Sequence, residues 1–498
     1  MEKSKINQLS RYDKIELQKL VKSWGEKGDS DSVIEARMVA FAERRIRATS
    51  FTHIDNSSGH SRRVSENARE HIVHAKRKNY GPNWRANITP SMLIAKKLNS
   101  ELLDELAPNE RKNWVPIPVR LRSHNSMHID LTDVSFHTHP NQTLASLGEI
   151  VKAESTCLSA TIDFNDHLCH DIGAFLVLAA MRKDMAPIFD GGNISNGLAK
   201  VFNALGLDQP LNMAVEPLWE GDKDIWAFPL RSRRAAGTSK SPTRYIDPQT
   251  IEKVGPELCD AISKWLSKTV KQSLSFHGRR VVMKIVGETL ENAERHSRPD
   301  TDSDGSWLIS GFMTKRNNGS EDYFICQLGF LSIGSSISDT ISSCDESTYS
   351  KMNSYVQKHK GAFSGYKYAE DHLKTIYALQ DGVTRDHLAE KIGNGGTGFQ
   401  TIIDFFADLA GIEGVEADAQ MSIVSGRTCI KLKYPYFKGT SDTDESLRRL
   451  WFNGENSPDV APSKKHIVEL DQRFHGTLIS MSMTLNEAYL IRTANGSN

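Results

Sequence analysis

Two long segments, PQTIEKVGPELCDAISKWLSKTVKQSL and RRVVMKIVGETLENAERH, repeat apolar residues at the three-to-four-residue step of an amphipathic helix. The apolar runs SWLISGFMT and DYFICQLGF that follow read as strands, as do MSIVSGRTCIKLKY and GTLISMSMTL farther on. Between these pairs lie a long polar segment, 341–392, and a glycine cluster that opens a helix, GNGGTGFQTIIDFFADLAG. From about 86 to 228 short strands alternate with helices: ATIDF, then DIGAFLVLAAMRK with its wide apolar face, then APIFDG. Strand, helix, strand at these lengths argues an α/β layer. Residues 1–85 are charged and helix-leaning, broken at EKGDSDS and DNSSGHS, and RSRRAAGTSKSPTR reads as a linker. The expected organisation is a helical N-terminal region (1–85), an α/β unit (86–230), a linker (231–245), a second α/β unit (246–486) and a tail (487–498). Within the second unit, 436–470 reads as an insertion, because loops longer than about 15 residues are rare in compact domains. The expected fold class is α/β in the broad sense, with α+β character.

The chain has 498 residues, with Lys plus Arg and Asp plus Glu equal at 62 each, so no global field draws it to nucleic acid or to a membrane. No apolar run approaches the ~20 residues that span a bilayer. The N-terminus MEKSKINQLSRYDKIELQKL is too polar for a secretory signal, and six scattered cysteines without a CxxC suit a reducing compartment. A cytoplasmic protein is expected. Arg44, Arg45, Arg47, Arg62, Arg63, Lys76, Arg77 and Lys78 make a local basic patch, read as a solvated or partner-docking helical surface rather than a nucleic-acid site.

Candidate chemistry centres on VGETLENAERHS, which steps Glu288, Asn292 and His296 four residues apart on one helical face, opposite Val286, Leu290 and Ala293. A glycine-rich turn opening a helix offers free N–H groups and a positive dipole end to phosphates. An Asn carboxamide oxygen suits Mg²⁺, and a carboxylate one turn earlier can polarise a water. In this order GETLENAERHS resembles the N-box of the GHKL ATPases (gyrase, Hsp90, histidine kinase and MutL type). SIGSS stands at the place of their first glycine box, GNGGTGF at that of the second, and FHGTLISMSM at that of the closing strand.

The resemblance covers roughly 250–486 and implies an ATP and Mg²⁺ site with an α/β sandwich fold. It implies Glu288 as catalytic base, Asn292 as Mg²⁺ ligand, Gly334, Gly396, Thr397 and Gly398 against the nucleotide, and Thr477 lining the pocket. Residues 341–392 would be the lid. One position departs from the family pattern D-x-G-x-G: Phe330 stands where its adenine-binding Asp belongs, and Ser332 at its first glycine. Phe cannot accept the adenine amino hydrogen bond, which leaves a backbone group, Gln327, or weakened ATP affinity.

Upstream, SATIDFNDHLCHDIGAFLVLAAMRKDMAPIFDGG resembles a STAS-type domain, which implies protein contacts. The phosphorylatable Ser of its anti-anti-sigma members is replaced by Ile172 before Gly173. HTHP (His137, His139) with Ser146 and Glu149 is similar to the JAMM zinc pattern, but Glu149 stands for the expected Asp, and histidines near a turn at Pro140 are the plainer reading. His277 is read as a surface or capping residue, His296 as a helix-end residue, and Cys169 beside His170 as core packing.

The functional expectation is an ATPase or nucleotide-controlled switch that regulates a protein partner through the STAS-like unit, with a homodimer as the oligomeric option. A scaffold that keeps the GHKL fold without its chemistry, and a protein kinase acting on a partner, are the alternatives.

Overall fold

The computed structural model describes, with short gaps, residues 11–42, 99–112, 127–213, 224–233, 248–296, 306–360, 368–383, 398–410, 419–433, 440–441 and 448–486. The basic patch of 44–78 and the tail 487–498 lie outside the described residues. Helix α1 (Arg11–Glu26) packs Leu17 against Phe41 and Ala42 in a small cluster of its own.

Helices α2 (Glu101–Leu106) and α3 (Pro108–Lys112) lead to strand β1 (Met127–Leu131). Helix α4 (Pro140–Thr156), strand β2 (Ala160–Phe164), helix α5 (Ile172–Arg182) and helix α6 (Asn196–Leu205) complete this part. Proline opens both α3 and α4, where its missing N–H costs nothing. β1 and β2 pair in parallel from Met127/Ala160 to Leu131/Phe164. Phe189 and Ile194 add single parallel bridges to Ala160 and Phe164; of the strand expected at APIFDG, Phe189 and Gly191 are described and 186–188 and 190 lie outside the described residues. This is the expected mixed α/β layer in outline.

The second part begins earlier than the sequence pattern suggests. Strand β3 (Ile225–Arg233) pairs antiparallel with β5 (Ser306–Asn317), inside a six-stranded sheet of order β4 (Pro248–Gln249), β3, β5, β6 (Asp322–Ile333), β10 (Ile467–Asn486) and β7 (Gln420–Leu432). Residues 225–233, assigned from sequence to the first unit and the linker, are therefore a strand of this sheet. The rest of the expected linker, 234–245, lies outside the described residues. A small β8 (Thr440–Ser441) and β9 (Arg448–Arg449) pair lies inside the expected insertion. Helices α7 (Ile251–Val270) and α8 (Phe276–His296) precede β5. Helices α9 (Ile337–Ile341), α10 (Glu346–Lys360), α11 (Glu370–Ala378) and α12 (Gly398–Ala410) lie between β6 and β7.

Both faces of the sheet are covered, which is why its strands read as near-continuous apolar runs rather than alternations. Leu308, Phe312, Leu331, Val424 and Leu478 turn to α4, α5 and α6. Trp307, Ile309, Phe330, Ile423 and Ile479 turn to α7, α8 and α12. The molecule is thus layered, with the parallel strand pair and its helices on one side of the sheet and the long helices on the other.

Helix α5, IGAFLVLAAMR, is buried at every residue, as expected of a helix with no polar face. It meets the sheet closely enough that glycine is needed on both sides. A Cβ on Gly329 would fall 2.7 Å from Leu176 Cδ1, and one on Gly173 would fall 2.8 Å from Ser480 Cβ. Polar clamps hold the same contact. Gln327 accepts from Ile172 N at 2.8 Å and donates to Cys169 O at 2.8 Å. Asp171 accepts from Phe136 N at 2.7 Å and Gly173 N at 2.8 Å, and Ser480 Oγ donates to it as well. His137 Nδ1 lies 2.8 Å from Ser422 Oγ, with Nε2 3.7 Å from Asp171.

The 341–392 segment is polar in sequence, but its described residues, 341–360 and 368–383, are mostly helical. Met352, Tyr355 and Val356 of α10 and Leu373 and Ile376 of α11 are buried, enough to dock both helices. Among the described residues no helix is long and apolar enough to cross a membrane.

Candidate nucleotide site

Helix α8 seats Val282, Ile285, Val286, Leu290 and Ala293 in the core, which turns Glu288 and Asn292 to a half-buried face one turn apart. Neither side chain has a hydrogen bond or ion pair with another described residue. Against them stands Gly398, the first residue of α12. A Cβ on Gly398 would lie 2.5 Å from Asn292 Nδ2 and 3.4 Å from Glu288 Oε2, so the approach exists only because the residue is glycine. The carboxylate, the amide and the start of a 13-residue helix, whose first N–H groups have no partner within the helix itself, therefore meet at one place. Gly396 and Thr397 lie outside the described residues.

The other two expected residues sit at one end of the sheet. Gly334 is buried, follows the last residue of β6, and has φ 150°. Thr477 on β10 stands between Ser332 and Ser425 in register, with its Oγ1 3.0 Å from Ser425 Oγ. Ser425 Oγ also takes the Ile337 N–H at 2.9 Å, which ties the turn after Gly334 to the same strand end.

The last turn of α8 is fixed over that end. Glu294 accepts from Trp307 Nε1 at 2.8 Å and pairs with Arg233 at 2.7 Å. Trp307 is the register partner of Ser332, which is the partner of Thr477. The sequence reading passed over Glu294, although its position two residues past Asn292 was visible. What it could not supply was the partner, since Arg233 and Trp307 arrive from two other strands.

One expectation about adenine recognition is corrected. Gln327 lies on the opposite face of the sheet from α8 and α12, and both ends of its amide are taken by the loop leading into α5. It is not free to read a base. Phe330, 2% exposed, is a core residue of the face covered by α7, α8 and α12, between Ile309 and Ile479 in register. Its ring occupies the position by packing.

The competing motifs also find places. His137 is buried while His139 is exposed, and the two stand in the turn before α4 rather than on a strand. Burial lowers the His137 pKa below its ordinary value, with Asp171 opposing and Lys433 and Lys431 adding to the shift. Glu149 pairs with Lys152 on α4. Two other His/Asp groups bring ligand atoms within 4.8 Å of one another among the described residues: His128, Asp130 and Asp163, and Asp133, Asp166 and His170. Their buried or half-buried carboxylates are already used, Asp163 by the Asn193 backbone and amide, and Asp166 by Asp133 N and Val134 N. His277 is exposed, and His296 ends α8. Cys169 is buried, and its thiol is pushed well above the ordinary range by that burial, so it is a packing residue and not a nucleophile.

Comparison with protein-family models, with curated proteins and with solved structures returns no match.

Proposed function

We propose that the chain binds a nucleoside triphosphate with Mg²⁺ beside Glu288, Asn292 and Gly398, and acts as a nucleotide-controlled switch on a protein partner. One observation carries the reading. Two polar side chains one turn apart, with no partner among the described residues, face a glycine that opens a helix. A hard-oxygen donor and a carboxylate held beside free helix N–H groups suit a magnesium–phosphate group. Asn292 would hold the ion through its carboxamide oxygen, and the N–H groups at the start of α12 would hold phosphate oxygens. Glu288 would orient and deprotonate the attacking water, catalysis by positioning and charge. Mg²⁺ would supply charge neutralisation of the phosphates.

The resemblance to GHKL ATPases agrees with this reading for the phosphate half of the site. The STAS-like part would face the partner through its strand side, where His128 and Asp130 are exposed, since α5 is buried on every side. Helices α10 and α11 are the elements proposed to respond to the nucleotide. A scaffold without nucleotide chemistry is the second reading, and the core position of Phe330 favours it. Turnover separates the two. Release of phosphate from ATP that falls to background in Glu288→Ala, with nucleotide still bound, supports the switch. Equal rates in wild type and Glu288→Ala support the scaffold.

A further inference from the structure

Helix α10, helix α11 with the residues just after it, and the segment from Arg449 onward border a half-open pocket of about 380 Å³ that shares no lining residue with the Glu288–Asn292–Gly398 group. Its volume lies within the range of small-molecule pockets, roughly 300–1,000 Å³. One wall is aromatic. Tyr355 and Trp451 stand 4.8 Å apart between ring centroids, Tyr355 and Tyr377 5.9 Å, and Tyr377 and Trp451 6.0 Å. Each of these rings lines the cavity.

The polar lining is cationic. Lys351, Lys358 and Arg449 contribute positive charge, and Asp459, already paired with Lys358, is the one carboxylate among the lining residues. Lys351 is exposed and has no ion pair or hydrogen bond with another described residue. The Tyr355 hydroxyl is buried and lacks a hydrogen-bond partner, an unusual state for a buried O–H unless a bound group accepts from it. Gln380, by contrast, is satisfied: it donates to Leu450 O at 2.9 Å and accepts from Leu450 N at 2.7 Å. That pair of bonds pins the segment carrying Trp451 against α11, so the aromatic wall is preformed.

We propose that this cavity is a binding site for a small aromatic anion. Its flat ring would lie on the Tyr355–Tyr377–Trp451 wall, and its phosphate or carboxylate would lie between Lys351 and Arg449. A ring without charge would leave Lys351 without a counter-charge, and an anion without a ring would leave the wall unused. Both parts are needed for affinity. The proposal does not rest on the nucleotide reading, because the two sites are built from different residues.

The test uses the full chain and four probes in calorimetry and ligand-observed NMR: phenyl phosphate, benzoate, inorganic phosphate and phenol. Expected is binding of phenyl phosphate or benzoate at least ten-fold tighter than inorganic phosphate or phenol, and the tighter of the two identifies the anion. Lys351→Glu should weaken that binding ten-fold or more while the melting temperature stays unchanged, since this side chain is exposed and unpaired. Trp451→Phe, which keeps a ring in the wall, should weaken it less. Asn292→Ala should leave it unchanged. The proposal is overturned if neither aromatic anion binds. It is equally overturned if inorganic phosphate binds as well as they do, if Lys351→Glu has no effect, or if Asn292→Ala abolishes the binding.

Discussion

Replacing Gly398 with Ala isolates the contact on which the nucleotide reading rests. The added Cβ would stand 2.5 Å from Asn292 Nδ2, whereas ordinary contacts of that kind begin at 3.4 Å. The second neighbour, Glu288 Oε2, is already at that limit, at 3.4 Å. The Asn292 amide must therefore retreat by about 1 Å, and a displacement of that size can cost up to about 100-fold where geometry carries the chemistry. For a single metal ligand on a side chain that can swing away, we expect about ten-fold in Mg-nucleotide affinity, or ~1.4 kcal/mol. The fold should not suffer. Position 398 has no left-handed φ, and it begins a helix, where Ala is better than Gly by up to about 1 kcal/mol. Calorimetric titration with ATP and Mg²⁺, beside a thermal melt without ligand, reads both quantities. An unchanged affinity in Gly398→Ala would refute the reasoning, because the amide would then have moved without consequence for any ligand.

Further expectations follow from the layers. Phe330→Asp places a carboxylate among Ile309, Ile479 and the α8–α12 core, and should destabilise the chain by at least ~3 kcal/mol rather than restore an adenine contact; a soluble variant with native stability in urea would remove Phe330 from the core. Burial lowers the pKa of His137, and of His372 and His466 as well. The unfolded chain then takes up protons near pH 6.5 that the folded chain refuses, so stability is full above that pH and declines as pH falls below it. A urea midpoint that stays flat between about pH 7 and pH 5 would contradict this, and His137→Gln should reduce the slope. A protease cut within 234–247 should leave two pieces that elute together under native conditions, since β3 is clamped between β4 and β5 and α5 is buried on the sheet; separate folded fragments would show that the layers are independent.

The elements with the strongest local pattern were legible in the sequence. α7, α8, β5, β6, β7 and the later half of β10 lie where the helical and strand periods placed them, because each carries its own apolar face. What was not legible depends on distant partners. IWAFPLRSR becomes a strand only through Ser306–Asn317, so nothing near it in sequence marks it as part of the second sheet. The helices at 346–360 and 370–378 were hidden by their polar surfaces, since a handful of residues such as Met352 and Ile376 docks them. In the candidate site, the Glu288/Asn292 face followed from helical spacing and its meeting with Gly398 followed from motif order. The core position of Phe330 was within reach, because strand alternation places it with Phe324 and Cys326, both on the face covered by α7, α8 and α12. The commitment of Gln327 to Ile172 and Cys169 was not, because the bond to Ile172 joins residues 155 positions apart.

Thermal melting of the full chain with ATP, with and without Mg²⁺, bears most directly on the nucleotide site. At about 100 times the dissociation constant a ligand of the folded state stabilises it by ~2.7 kcal/mol. Expected is a rise in melting temperature that requires Mg²⁺ and is lost in Asn292→Ala. No rise with millimolar ATP, ADP or GTP in the presence of Mg²⁺ would contradict it.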